Sequence, residues 1–281
     1  MALDERALAF RCGGDTLYGI ATLPDGPCTR GVLVVVGGPQ YRAGSHRQFT
    51  LLARDLAAGG SAVMRFDYRG MGDSEGTMRD FEAVGADLRA AIDAFMALVP
   101  GMREVVLWGL CDGASAIAMY AGGDARVAGL VMLNPWVRSD DGIARATLKH
   151  YYRARLLEPA FWRKLVQGKF DLVASLKSMA GLARAAAARP AQADADAAAP
   201  FPVRMRAGLQ AFGGPVLVIV SGADLTGREF CDLAAADSGW KRLLAAPRVT
   251  RRLLDQADHT FSRRAWRDQI AAWTGDWLRS W

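Results

Sequence analysis

Continuous apolar runs alternate along the chain with longer stretches in which apolar residues recur every three or four positions, a pattern that predicts a parallel sheet wrapped by helices. Short strands are expected at 7–11 and 16–23, then a buried strand at 31–36 and a helix over about 48–58. A strand at 62–66, a helix over 79–98, an apolar strand at 105–108, a helix from 114 to 121 and a strand at 127–133 continue the order. Pro215-Val216-Leu217-Val218-Ile219-Val220 reads as a strand covered on both faces, and Arg251-Arg252-Leu253-Leu254 as a further short one. In the last helix Trp266, Trp273, Trp277 and Trp281 are spaced to lie along one face, packed against the sheet. The alternation breaks from 135 to 213, a helix-forming stretch in which 183–202 is rich in alanine and proline and poor in large apolar residues. That part is expected to form a mobile loop.

Between the strand at 105–108 and the helix after it lies Gly109-Leu110-Cys111-Asp112-Gly113. A strand that turns this sharply into a helix holds its central residue in strained backbone geometry, and side chains two positions to either side would collide with the neighbouring strand or helix. This is a nucleophile elbow carrying sulfur, and a helix N-terminus beside an imidazole is where a thiolate is stabilised. Cys12, Cys28 and Cys231 lack such a context and read as small buried hydrophobes. The elbow resembles that of the α/β-hydrolases, and the resemblance implies an acid after a later strand and a base after the last one. Ser221-Gly222-Ala223-Asp224 leaves the strand at 215–220, making Asp224 the candidate acid ahead of Asp232, Asp255 and Asp258. Of three histidines, His46, His150 and His259, the last lies between the final strand and the C-terminal helix and is the candidate base.

These stations resemble the α/β-hydrolase superfamily over almost the whole chain outside the 135–213 insert, and Phe66-Asp67-Tyr68-Arg69-Gly70-Met71-Gly72-Asp73-Ser74 is similar to that family's DxRGxGxS loop. More narrowly, VVVGGPQYRAGSHRQF, RFDYRGMGDSEG, LWGLCDGAS and VSGADLTGREF together resemble the first type of hydrolase found with exosortase A systems, bacterial loci linked to exopolysaccharide production and protein sorting. The cysteine nucleophile is also similar to that of dienelactone hydrolases. The resemblance implies a mostly parallel, doubly wound α/β sheet with a core of 1–134 and 214–281, and a helical cap at 135–213 inserted before the strand that carries the acid. It also places the oxyanion hole in the loop Gly37-Gly38-Pro39-Gln40-Tyr41 and at the residue after the nucleophile. Pro39 has no N–H to give, so Gln40 and the backbone of Asp112 are the expected donors. The Asp112 carboxylate, which would oppose an anionic transition state if it pointed inward, is expected to cap the elbow helix or meet Arg42 or Arg47.

A chain of 281 residues, 51% hydrophobic, is long enough to bury one large core, so a single catalytic domain with a lid is expected. The first residues, Met1-Ala2-Leu3-Asp4-Glu5-Arg6, show neither a basic nor an apolar segment, and no run is long enough to span a membrane, which points to the cytoplasm. Four cysteines without paired spacing argue against a disulfide framework and a zinc site, and no metal or cofactor is expected. Formal charge is +6 overall, whereas 135–213 alone carries 13 Lys/Arg against 6 Asp/Glu. The basic character therefore belongs to the insert. It favours an anionic or carrier-bound acyl substrate, with an acidic carrier protein as one candidate partner, over nucleic acid, for which no binding module is present. A solvated helical face is the plainer reading of the same charge. Tyr151, Tyr152, Phe161, Trp162 and Phe170 are expected to anchor the insert to the body.

The chemistry expected from these residues is acyl transfer. His259 draws the proton from Cys111, Asp224 orients the ring, and the thiolate attacks an acyl carbonyl to form an enzyme thioester that water releases. Exchange between two thioesters is close to energetically neutral, so thioesters and activated esters are expected ahead of peptides. An acyltransferase using the same three residues is one alternative. A noncatalytic accessory protein of an exopolysaccharide system is the other.

Overall fold

A computed structural model of the chain describes residues 4–38, 40–137 and 199–281. Within them eight strands form one sheet: β1 (Asp4–Cys12), β2 (Asp15–Leu23), β3 (Arg30–Val35), β4 (Val63–Asp67), β5 (Glu104–Leu110), β6 (Val127–Leu133), β7 (Val216–Ser221) and β8 (Val249–Leu254), in the order β1-β2-β4-β3-β5-β6-β7-β8. From β4 to β8 all neighbours run parallel, while the β1–β2 hairpin adds on antiparallel at one edge. Every residue of β4 and β7 is buried, the pattern of strands covered on both faces, whereas β1 alternates and stays largely exposed at the sheet edge.

The helices among the described residues are α1 (Gln48–Ala58), α2 (Gly85–Leu98), α3 (Asp112–Tyr120), α4 (Phe201–Ala211), α5 (Leu225–Ala236), α6 (Ser238–Leu244) and α7 (Arg264–Arg279). Two apolar layers sandwich the sheet. One is built by α2, α3, α4 and α6 around Leu33, Phe66, Phe95, Leu107, Ile117 and Met132. The other is built by α1 and α7 around Val34, Phe49, Trp108, Leu133 and Phe261, with Cys111 packed at its margin. Alternation along β5 explains the division: Val105 and Leu107 face one layer, Val106 and Trp108 the other.

Three elements differ from the sequence expectation. The helix read over 79–98 divides into a single 3₁₀ turn at Phe81–Ala83, capped by the Asp80 carboxylate on the Glu82 N–H, and α2 beginning at Gly85. Trp281 lies beyond α7, which ends at Arg279; it stacks beneath the Arg30 guanidinium 3.6 Å away and meets Trp277 edge-on, so only Trp266, Trp273 and Trp277 share the buried helix face. The compact unit that carries the sheet also includes 201–213, because α4 packs on α3. The mobile loop expected at 183–202 falls almost wholly outside the described residues, as do His150, Pro39 and the five aromatic residues read as anchors. Among the described residues no helix is long and apolar enough to cross a membrane.

Candidate active site

The C-terminal ends of β5, β6, β7 and β8 converge at one rim of the sheet, and each delivers a polar residue there. Cys111 follows β5 and sits as N-cap of α3 with φ 61° and ψ −126°, a left-handed conformation that strains a residue with a Cβ. The flanking glycines explain how the chain tolerates it. A Cβ at Gly109 would lie 2.6 Å from the Gly113 carbonyl oxygen, and one at Gly113 would lie 2.5 Å from the Val35 carbonyl oxygen. Backbone cannot yield as a flexible side chain does, so both positions require glycine. The half-buried Cys111 is held by main-chain bonds on either side: its N–H donates to the Leu133 carbonyl at 2.9 Å, and its own carbonyl accepts from Ala114 at 3.0 Å and Trp136 at 3.1 Å.

Asp224 leaves the loop after β7 and caps α5 through the Gly227 N–H, 3.0 Å from Oδ2. The same oxygen accepts from His259 Nδ1 at 2.9 Å. Burial alone would raise the Asp224 carboxyl, but the hydrogen bond and charge of His259, with the main-chain N–H groups of Gly227 and Thr226, hold it below its ordinary value. His259 in turn is pushed up to about 10 by the hydrogen bond to Asp224 and by the Cys111 side chain, against the opposing effect of burial. One imidazole is thus subject to both Asp224 and Cys111.

That coupling sets a pH dependence. A base whose folded pKa is raised contributes stability fully below its unfolded value, 6.5 for histidine, and loses it as pH rises through about 10. Asp224, lowered, contributes above its unfolded value of 3.8 and loses it as pH falls through its folded value. Melting temperatures of the wild type and His259→Gln should therefore differ most between about pH 4 and 6.5, and the difference should shrink as pH rises through neutral toward about 10. A difference that is flat across that range would show that the ring's proton is not held by this site.

The two residues expected to line the oxyanion hole sit as follows. The Asp112 carboxylate meets neither Arg42 nor Arg47. It accepts main-chain N–H groups, from Gly38 at 2.7 Å and Gly113 at 3.0 Å, and so ties the loop after β3 to the first turn of α3. Burial raises its pKa, opposed by those two N–H donors. Arg42 instead pairs with the buried Asp67 and, at 2.8 Å, with Asp73. The Gln40 N–H donates to the Gly38 carbonyl at 2.8 Å, so in this conformation it is engaged within its own loop.

Two residues that sequence reasoning passed over join the site from below. Asn134, after β6, and Ser221, at the end of β7, are fully buried and hydrogen-bonded to each other. A lone polar residue closing an apolar run was the available signal. Among the described residues no group of three or more His, Cys, Asp or Glu side chains is placed to hold a metal ion.

Residues 27–260 match the model of a hydrolase family described as serine aminopeptidase, S33. Among solved structures the chain is similar to the Pyrococcus furiosus esterase Pf2001, with a TM-score of 0.67 and 15% identity over 99% of this chain and 93% of that one. It is similar to the dienelactone hydrolase of Anabaena variabilis, with a TM-score of 0.61 and 15% identity over 100% and 99% of the two chains. A third similarity is to the Pyrococcus horikoshii acylaminoacyl peptidase, with a TM-score of 0.65 and 15% identity over 99% of this chain and 41% of that one. No curated protein sequence matches the chain.

Proposed function

Because the chain belongs to this serine aminopeptidase, S33, family of α/β-fold hydrolases, we propose that it is a cysteine-nucleophile acyl hydrolase, a thioesterase or esterase, with Cys111 standing where the family's name implies a serine. The observation that carries this reading is the His259 imidazole, hydrogen-bonded through Nδ1 to Asp224 Oδ2 at 2.9 Å and raised in pKa by both Asp224 and the Cys111 side chain at a strained elbow. His259 takes the thiol proton, and the sulfur adds to the acyl carbonyl, forming a C–S bond and an oxyanion. The Asp112 N–H at the start of α3 stabilises that oxyanion. The Gln40 N–H joins it once it leaves the Gly38 carbonyl. As the intermediate collapses, the leaving thiol or alcohol departs with the proton that His259 carries. Water then attacks the enzyme thioester, His259 accepting its proton and returning it to sulfur, and the acid leaves.

Sulfur as nucleophile favours thioesters and activated esters. The motifs similar to exosortase-associated hydrolases suggest an acyl group from exopolysaccharide metabolism, and the basic 135–213 stretch an anionic or carrier-bound one.

A substrate panel tests the reading. A coenzyme A thioester and a nitrophenyl ester should each exceed the matching anilide in kcat/KM by at least about 100-fold. The thioester value should fall as salt rises while that of the neutral ester stays level. An anilide turned over fastest would assign the chain to peptide chemistry. Product that appears on an added alcohol or amine in preference to water would assign it as an acyltransferase.

A further inference from the structure

We infer that Asn134 and Ser221 form a buried clamp that positions the nucleophile, acid and base together, a role that rests on the Cys111-His259-Asp224 reading above. Asn134 lies one residue beyond Leu133, whose carbonyl receives the Cys111 N–H at 2.9 Å. Its own N–H donates to the Ile219 carbonyl of β7 at 3.0 Å. Its side-chain Oδ1 accepts the Ser221 N–H at 2.7 Å, and Nδ2 donates both to Ser221 Oγ at 2.7 Å and to the His259 carbonyl at 3.2 Å. The Ser221 hydroxyl in turn donates to the Asp258 carbonyl at 3.0 Å. Asn134 and Ser221 together therefore join the strand end that holds the nucleophile, the strand that leads to the acid, and two successive carbonyls of the loop that carries the base.

The pattern leaves no freedom in how the amide is oriented. A backbone N–H only donates, so Oδ1 must face Ser221, and Nδ2 then faces the His259 carbonyl, which only accepts. The hydroxyl receives one hydrogen bond and gives one. Asn134 and Ser221 are fully buried, so a missing bond between them would leave a polar atom unsatisfied. The clamp also packs tightly: a Cβ added at Gly227, whose N–H donates to the Asp224 carboxylate, would lie 2.9 Å from Asn134 Oδ1.

Residue choice at 134 is narrow for two independent reasons. Asn134 has φ 41°, a region that asparagine enters more readily than other residues with a Cβ. Aspartate tolerates the backbone but has no N–H to give. Glycine tolerates it too but has no side chain. The remaining ties between the β7 and base loops are main-chain bonds at residues 222 and 223, Gly222 N–H to the Leu254 carbonyl and Ala223 N–H to the Ala257 carbonyl. Neither reaches 258 or 259. Without the clamp the imidazole would pivot about the Asp224 hydrogen bond.

Ser221→Ala removes the hydroxyl bridge to Asp258 and keeps the backbone bond to Asn134; Asn134→Asp keeps the acceptor and removes both donations. Each is read by kcat and KM on a nitrophenyl ester, by the downfield proton resonance of His259 Nδ1, and by melting temperature. We expect kcat to fall about 10- to 100-fold with KM changed less than about twofold, since misplacement of a reacting group is felt in the chemical step. The His259 resonance should move or broaden in step. A lowered melting temperature with kcat and resonance unchanged overturns the clamp and leaves a structural network. If Asn134→Asp fails to fold, Ser221→Ala decides alone. His259→Ala separates the two claims: full activity in that variant overturns the triad reading, whereas its inactivity beside an unimpaired Ser221→Ala overturns only the clamp.

Discussion

Replacing Cys111 with alanine is expected to lower turnover by about 10⁴-fold or more, because the step lost is formation of the covalent bond and its neighbours cannot substitute for it. The fold should survive. Cys111 is half-buried at the margin of one apolar layer, its main-chain bonds do not involve sulfur, and alanine bears the same positive-φ strain as cysteine. Alkylation gives an independent reading. Cys12 and Cys28 are 4% and 7% exposed, and Cys28 Sγ is engaged by the Arg30 carbonyl at 2.9 Å. Burial pushes the thiols of Cys12 and Cys231 up. Iodoacetamide should therefore modify Cys111 first. Faster labelling elsewhere, together with an active alanine variant, would remove Cys111 from the chemistry.

The second large effect is expected at Asp224. Asparagine there keeps the shape but cannot accept from His259 Nδ1 as a carboxylate does, and loss of the orienting carboxylate in an analogous triad costs about 10⁴-fold in kcat. Asp258→Asn, adjacent to the base in sequence, should cost no more than about tenfold by comparison, since its carboxylate does not touch the ring. It is taken up locally by the Ser262 hydroxyl and by the Ser262 N–H at 2.9 Å. Paired kcat values decide the matter. Equal losses would leave the acid unassigned, and a loss confined to Asp258 would overturn the choice.

Much of this arrangement is legible in the chain because its signals are local. Gly109-x-Cys111-x-Gly113 announces the elbow, since backbone crowding at both glycines is a property of five residues and a strand-to-helix turn. Apolar runs announce β3, β5, β6 and β7 because a strand covered on both faces is mostly apolar, whereas β4 carries the buried Arg65 and Asp67. Asp224 and His259 were chosen by their order along the chain, and the structure places them 2.9 Å apart across 35 residues of sequence.

What the chain conceals is whatever depends on partners without a side-chain signature. The Asp112 carboxylate was expected to cap the elbow helix or meet a cation; it accepts the Gly113 N–H in the first turn of that helix, but its second partner, the Gly38 N–H, is a group that every sequence possesses and none advertises. Asn134 and Ser221 read as isolated polar residues until the register of β6 against β7 brings them together. β1 extends from Asp4, further than its apolar pattern, because an edge hairpin is held by main-chain pairing with β2 and needs little burial. The helix at Phe201–Ala211 is weakly amphipathic, with Met205 and Leu209 buried, and composition alone did not separate it from the insert before it.

The most direct test of the central claim is mass analysis of the protein mixed with excess nitrophenyl acyl ester and quenched in acid within the first turnovers. The account predicts a burst of nitrophenol and a mass increase equal to the acyl group, mapped by peptide digestion to Cys111, labile to hydroxylamine and lost in Cys111→Ala. Turnover with no adduct on Cys111, or an adduct on another residue that persists in Cys111→Ala, would contradict it.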